Sequence, residues 1–244
     1  MNVALFGKTI SENDLPYLQI FIDRLGEIGG KVLVYAPFLE FLSGKVHFPV
    51  EAVAFSVQAD IEGKADYLFS IGGDGTLLDT ITLVGNSGIP LIGINMGRMG
   101  FLSSIPKNEI LPAMEEILQR NYIIEQRTLL KLESPEGLFG AFNYGLNDLT
   151  IYKKGPLSML TIRTYVNDEY LNTYWADGLI VATPTGSTAY SLSCTGPIIT
   201  PESENFVITP IASHNLTVRP IVIPDSSVIR IEVQGRDVDY FAGL

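Results

Sequence analysis

The run Tyr67–Gly85, YLFSIGGDGTLLDTITLVG, restricts the fold more than any other stretch. It joins an apolar strand, a glycine-rich turn and a helical segment with no linker between them. Such a strand, apolar along its length, suits a parallel sheet covered on both faces. The flanking sequence repeats the alternation. Val3–Gly7 is a short apolar run ending in glycine, and Ser11 offers a helix N-cap with Asp14 three residues on. Leu15, Leu18, Ile22 and Leu25 follow at helical spacing until Gly29-Gly30 stops them. KVLVYAP (31–37) and IPLIGIN (89–95) read as further buried strands. These residues predict an α/β domain with a parallel, Rossmann-like sheet.

The character changes after Phe101. Residues 107–121 read as one more helix, with Pro112 at a kink or an early position. From Tyr122 to Tyr174 the sequence reads as successive strands, with Asn167-Asp168 where a hairpin reverses. Residues 215–235 are again strand-like. Two domains are expected: 1–103, α/β, and 104–244, a β-rich sandwich.

Composition excludes several classes. With 46% hydrophobic and 18% charged residues, the chain is globular and not disordered. Its one cysteine, Cys194, rules out an internal disulfide and reads as a small buried group, which fits a reducing, cytoplasmic setting. No signal peptide and no membrane partner are expected. A net charge of −11 argues against nucleic acid. It also means that phosphates must be held at short range by backbone N–H groups, a few cations or Mg²⁺. His47 and His214 lack companions at metal-ligand spacing, so no protein-bound metal is expected. Lys153-Lys154 reads as a solvated turn.

The glycines of Gly72-Gly73-Asp74-Gly75-Thr76 match neither the dinucleotide fingerprint nor the phosphate loop of P-loop enzymes. Taken alone, the string fits a tight turn whose Asp74 caps the following helix. It equally places N–H groups and a carboxylate at a strand's carboxyl end, where α/β sheets bind ligands. A second cluster, WADGLIVATPTGSTAYSLS (175–193), gathers hydroxyls around a helix start near Thr188. It reads as a turn with an N-cap or as an anion or ribose site. Asn147-Asp148, inside a strand-like stretch, reads as a bulge or a ligand pair.

These strings, with NMGRMGFL (95–102), occur in the order and spacing of the NAD kinases, which the chain resembles from Tyr67 onward. The resemblance implies transfer of a phosphoryl group from ATP, with Mg²⁺, to the 2′-hydroxyl of the adenosine ribose of NAD. Asp74 would accept or orient that hydroxyl, with Gly72, Gly73, Gly75 and Thr76 allowing close approach. Asn147 and Asp148 would contact adenosine, and Thr185 and Thr188 through Ser193 (Ala189, Tyr190, Ser191, Leu192) would line the same pocket. Asp177 would meet the nicotinamide end, Phe101 would pack on a base, and Ala212 would form a wall. Arg98 is a candidate phosphate cation or a solvated surface residue. Small-molecule partners and a homodimer or homotetramer are implied. Two departures stand out: Trp175 where the family often has Arg or Lys, and an end at DYFAGL where the family continues. A lipid kinase of the diacylglycerol type and a catalytically silent NAD-binding sensor are the alternative readings.

Overall fold

The computed structural model describes residues 1–97, 100–140, 143–155, 159–215, 217–234 and 239–244. The chain forms two compact units, Met1–Ile124 and Glu125–Leu244. Arg98 lies outside the described residues.

The first unit runs β1 (Val3–Gly7), α1 (Leu15–Ile28), β2 (Val32–Tyr35), α2 (Ala36–Leu42), β3 (Ala52–Phe55), α3 (Gln58–Ile61), β4 (Tyr67–Ile71), α4 (Asp74–Val84), β5 (Leu91–Asn95), β6 (Ile105–Pro106) and α5 (Ile110–Leu118). The strands form one parallel sheet in the order β3-β2-β1-β4-β5-β6. Side chains alternate between its faces. Val3, Leu5, Phe69 and Ile71 join α1, α2 and α5 in one apolar cluster. Ala4, Phe6 and Leu68 join Ile61 and Leu83 in the other. Burial on both faces explains why these strands carry continuous apolar runs. The strand order reverses between β1 and β4, so a crevice is expected outside their carboxyl ends.

Residues 104–124 belong to this first unit, not to the β-rich one. The reason is packing: Ile110, Met114 and Ile117 of α5 sit in the cluster built by α1. Pro112 falls early in α5, where a missing N–H breaks no helical bond. Ser11 does not cap through its side chain. Its hydroxyl donates instead to Asp14 Oδ2 at 2.7 Å, and Lys107 Nζ lies 2.5 Å from Asp14 Oδ1. Asp14 is almost fully buried, so its charge requires those partners.

The second unit contains β7 (Leu130–Lys131), β8 (Tyr144–Gly145), β9 (Asp148–Lys153), β10 (Leu160–Val166), β11 (Glu169–Ala176), β12 (Gly178–Ala182), α6 (Tyr190–Ser193), β13 (Asn205–Ile211), β14 (Ile221–Pro224), β15 (Ile229–Gln234) and β16 (Tyr240–Gly243). A three-stranded sheet, β11-β10-β15, and a five-stranded one, β14-β13-β12-β9-β16, are antiparallel. Leu160, Ile162 and Tyr174 of the first meet Leu179, Val181 and Ile208 of the second in one core, a β-sandwich. Asn167 and Asp168 have φ of 52° and 66°, the left-handed pair that a two-residue hairpin loop requires. Tyr122–Thr128, expected as strand, has no regular structure.

The Lys107 ammonium holds the Asp14 carboxyl below the usual carboxylate range despite burial. A lowered folded pKa stabilises above the unfolded value and is lost as pH falls through the folded one. Asp14→Asn should therefore lower unfolding free energy by about 1–3 kcal/mol at pH 7, with the deficit shrinking in acid. Urea titrations of both proteins at several pH values measure it, and a deficit independent of pH would contradict the assignment.

Candidate active site

In the first unit the turn after β4 is shaped by contact. Gly73 is the N-cap of α4 and Asp74 its first residue, and the Asp74 side chain makes no capping bond. Its carboxylate accepts three backbone N–H groups from the chain beyond β5. Phe101 donates to Oδ2 at 2.7 Å, while Leu102 and Ser103 donate to Oδ1 at 3.0 and 2.9 Å. A carboxylate offers about four lone-pair positions, two on each oxygen. Oδ1 is thus fully used, and Oδ2 keeps one position for another donor. Gly100 makes the arrangement possible, because a Cβ there would fall 2.3 Å from Asp74 Oδ1.

The remaining glycines divide into two kinds. A Cβ on Gly72 would lie 2.7 Å from Thr76 Cβ, so the turn itself excludes a side chain there. Gly73 and Gly75 have nothing within 4 Å of an added Cβ. Packing within the free protein therefore does not explain why these two positions are glycine. Their bare backbones suit a ligand that approaches closely. Phe101 is 78% exposed, a ring free to pack against a ligand.

In the second unit, Thr183 and Gly186 join two segments. Thr183 donates its N–H to the Asn147 carbonyl at 2.9 Å and its hydroxyl to the Leu146 carbonyl. A Cβ on Gly186 would lie 1.9 Å from the Asn147 carbonyl oxygen, so only glycine permits this approach. Asn147-Asp148 and the 3-10 turn Thr185–Thr188 are brought together in this way. Asp148 heads β9, half-buried, and accepts from Thr150 Oγ1 at 2.6 Å. Burial pushes its carboxyl up, and the Thr150 hydrogen bond opposes that shift.

The hydroxyls of the Ser/Thr-rich segment serve two purposes. Ser187 bridges the Pro184 carbonyl and the Ile199 N–H, and Ser191 pairs with Thr209 at 2.9 Å, both fully buried. Thr185 is buried, and Thr188 and Ala189 are half-buried. Tyr190, Leu192 and Ser193 are exposed on α6. Partial burial, then the Cys194 thiol, raises the Tyr190 phenol. Asp177, between β11 and β12, pairs with Lys153 Nζ at 2.6 Å. Trp175 exposes its ring while its carbonyl accepts the His214 N–H at 2.9 Å. Ala212, just beyond β13, is exposed with φ 46°.

Comparison with known proteins places this architecture. Residues 38–122 match the ATP-NAD kinase N-terminal domain and 146–242 the ATP-NAD kinase C-terminal domain. The chain belongs to the NAD kinase family. It is thereby a phosphotransferase. It is 44% identical to the NAD kinase of Cytophaga hutchinsonii, over 100% of this chain and 84% of that protein. It is 41% identical to that of Bacteroides fragilis, over 100% and 83%. Among solved structures, yeast NADH kinase complexed with NADH superposes with a TM-score of 0.87 at 28% identity, over 99% of this chain and 74% of that one. An Archaeoglobus fulgidus NAD kinase in complex with ATP shares the fold, with a TM-score of 0.74 at 22% identity, over 99% and 84%.

Two features of this member escaped the sequence reading. Lys153, which the sequence presents as part of a solvated turn, is largely buried against Asp177, 24 positions away in the chain. Thr183 lies inside the 175–193 motif, yet its role depends on its non-local partners. Nothing local in the sequence marks either pairing.

The opposed influences on Asp148 give a measurable signature. A raised folded pKa favours the protonated acid in the fold, so stability is greatest in acid and is lost as pH rises through the folded value. Thr150→Val removes the bond that favours the charged form. It should cost about 1–2 kcal/mol at pH 7 and less at pH 4. Denaturant titrations at the two pH values read the difference, and an equal loss at both would remove the coupling.

Proposed function

We propose that this enzyme transfers the γ-phosphoryl group of ATP to the 2′-hydroxyl of the adenosine ribose of NAD, with Mg²⁺, giving NADP and ADP. The observation that carries the proposal is the single lone-pair position left on Asp74 Oδ2 beside three fixed N–H donors. A hydroxyl donating there is held by an acceptor that cannot rotate away. As the ribose oxygen bonds to phosphorus and the bond to the ADP oxygen breaks, the hydroxyl proton is directed towards Asp74. Phosphoryl transfer has a loose transition state, so orienting the hydroxyl and neutralising phosphate charge matter more than a strong base.

The remaining assignments follow the chemistry of each group. Asn147 offers both a donor and an acceptor to an adenine edge, and Asp148 an acceptor to a ribose hydroxyl. Tyr190 and Ser193 supply outward hydroxyls for the dinucleotide, Thr188, whose hydroxyl donates to the Thr185 carbonyl, offers its remaining lone pairs, and the buried Ser191 supports their turn from within. Gly73 and Gly75 give the ligand access to bare backbone, and Phe101 a ring for a base. Asp177 is assigned to the nicotinamide end and Ala212 to the pocket wall. Among the described residues no group of three or more His, Cys, Asp or Glu is arranged to hold a metal. In this reading Mg²⁺ would arrive with the nucleotide phosphates, as its chemistry favours. When bound it would supply charge neutralisation at those oxygens. Cytoplasmic residence and assembly as a homodimer or homotetramer belong to the same reading. The first is supported by the single cysteine, which fits a reducing compartment.

Purified protein supplied with ATP, Mg²⁺ and NAD should form NADP, whereas diacylglycerol in place of NAD should not be phosphorylated. Turnover of the lipid alone would reject the proposal.

Gly75→Ala separates function from folding. Alanine fits the free protein and favours a helix by up to about 1 kcal/mol, so thermal stability should hold or rise. Its methyl would meet the ligand, and kcat/KM should fall by about tenfold or more. Undiminished turnover would remove Gly75 from the cradle. Asp74→Asn is less clean, since an amide nitrogen cannot accept from Phe101 or from Leu102 and Ser103; it should lose turnover and stability together.

A further inference from the structure

We propose that Lys8 is a phosphate-binding residue for the nucleoside triphosphate, parked on Asp79 until the nucleotide arrives. The inference rests on the phosphotransferase reading above and extends it to a residue outside every motif of the sequence. Lys8 directly follows β1, whose last residue, Gly7, is in register with Ile71 of β4. Its backbone is therefore level with the start of the Gly72–Thr76 turn. β1 and β4 are also the strands between which the sheet order reverses, and ligands of open parallel sheets lie outside the carboxyl ends at that reversal. Lys8 and the glycine turn thus flank the same crevice within one compact unit.

The Lys8 ammonium is 2.7 Å from Asp79 Oδ2, with side chains 62% and 42% exposed. Ion pairs so open to water add little to stability, and releasing the cation is easy. Asp79 lies five residues along α4 from Asp74, about 7.5 Å along the helix axis. A four-carbon stem can cover that displacement. A second described lysine at this end of the sheet, Lys107, follows β6 but is fixed by the buried Asp14 and lies over the Tyr17 ring. Lys8 is held by far weaker constraints.

Electrostatics explain why such a cation is needed. The chain carries 27 acidic against 16 basic residues, and Asp74 adds a carboxylate at the place a triphosphate must approach. Screening confines the compensation to charges within about 8 Å. A lysine that exchanges one carboxylate for phosphate oxygens supplies it without leaving an unpaired charge in the free enzyme.

Steady-state kinetics on the intact chain test this, with NADP formation by the parent enzyme first establishing the underlying reaction. Varying ATP at saturating NAD, Lys8→Met should raise KM for ATP by about tenfold or more and weaken its salt dependence. KM for NAD should stay within about twofold, the mark of a lost contact to one substrate only. Lys8→Arg keeps the charge and should recover most of the affinity. Asp79→Asn breaks the ion pair while leaving the cation, and should leave KM for ATP unchanged or lower. The proposal falls if Lys8→Met leaves KM for ATP unchanged or raises both KM values in parallel. It falls equally if Asp79→Asn reproduces the Lys8→Met defect, because the ion pair and not the cation would then be what matters.

Discussion

A carboxylate surrounded by glycines, in a turn that would otherwise attract anions, is an unfavourable choice unless its charge is met. Here the Asp74 carboxylate accepts the N–H groups of Phe101, Leu102 and Ser103. Those donors come from a segment that has left β5 and has no strand partner there, so each side satisfies what the other lacks. The turn after β4 and the chain after β5 become one rigid corner. Gly100 allows the acid in, Gly72 lets the turn close, and Asn95 steadies the approach by accepting the Gly97 N–H at 2.8 Å. The negative charge is spread over fixed dipoles.

The second unit solves a related problem with hydroxyls. Its Thr/Ser-rich segment cannot be regular strand or long helix, because it must turn from β12 into the short α6. Thr183, Ser187 and Ser191 satisfy buried backbone and side-chain groups that the sharp turn would otherwise leave unpaired. Thr188 likewise donates its hydroxyl to the Thr185 carbonyl at 3.3 Å, and only Tyr190 and Ser193 face outward. The density of hydroxyls in the sequence therefore overstates the number available for recognition.

The sheet of the first unit was legible because each strand is buried on both faces and so reads as an unbroken apolar run. Where that condition fails, the sequence is silent. AVAF of β3 is an edge strand with two exposed residues, and α2 begins at Ala36-Pro37, which look like the tail of the strand before it. The family and the motifs were equally legible, since both are local strings. What was not legible is pairing across distance. The donors to Asp74 come 27 to 29 residues later, Lys153 finds Asp177 24 positions on, and Lys107 reaches Asp14 from 93 positions away. Burial decides these partners, and burial is a property of the fold.

The two kinds of charged group at the carboxyl end of the sheet illustrate a division that the chemistry demands. An acceptor for a hydroxyl must point in one direction throughout the reaction, and a carboxylate fixed by three N–H groups meets that need. A counter-charge for phosphates must follow oxygens whose positions change as one bond lengthens and another forms. A flexible ammonium on an exposed stem suits that task better than a fixed fork. Asp74 is immobilised by backbone, whereas Lys8 is held by one exposed carboxylate. Rigidity and mobility are thus placed side by side, just beyond the carboxyl ends of two adjacent strands, β1 and β4, where the sheet order reverses.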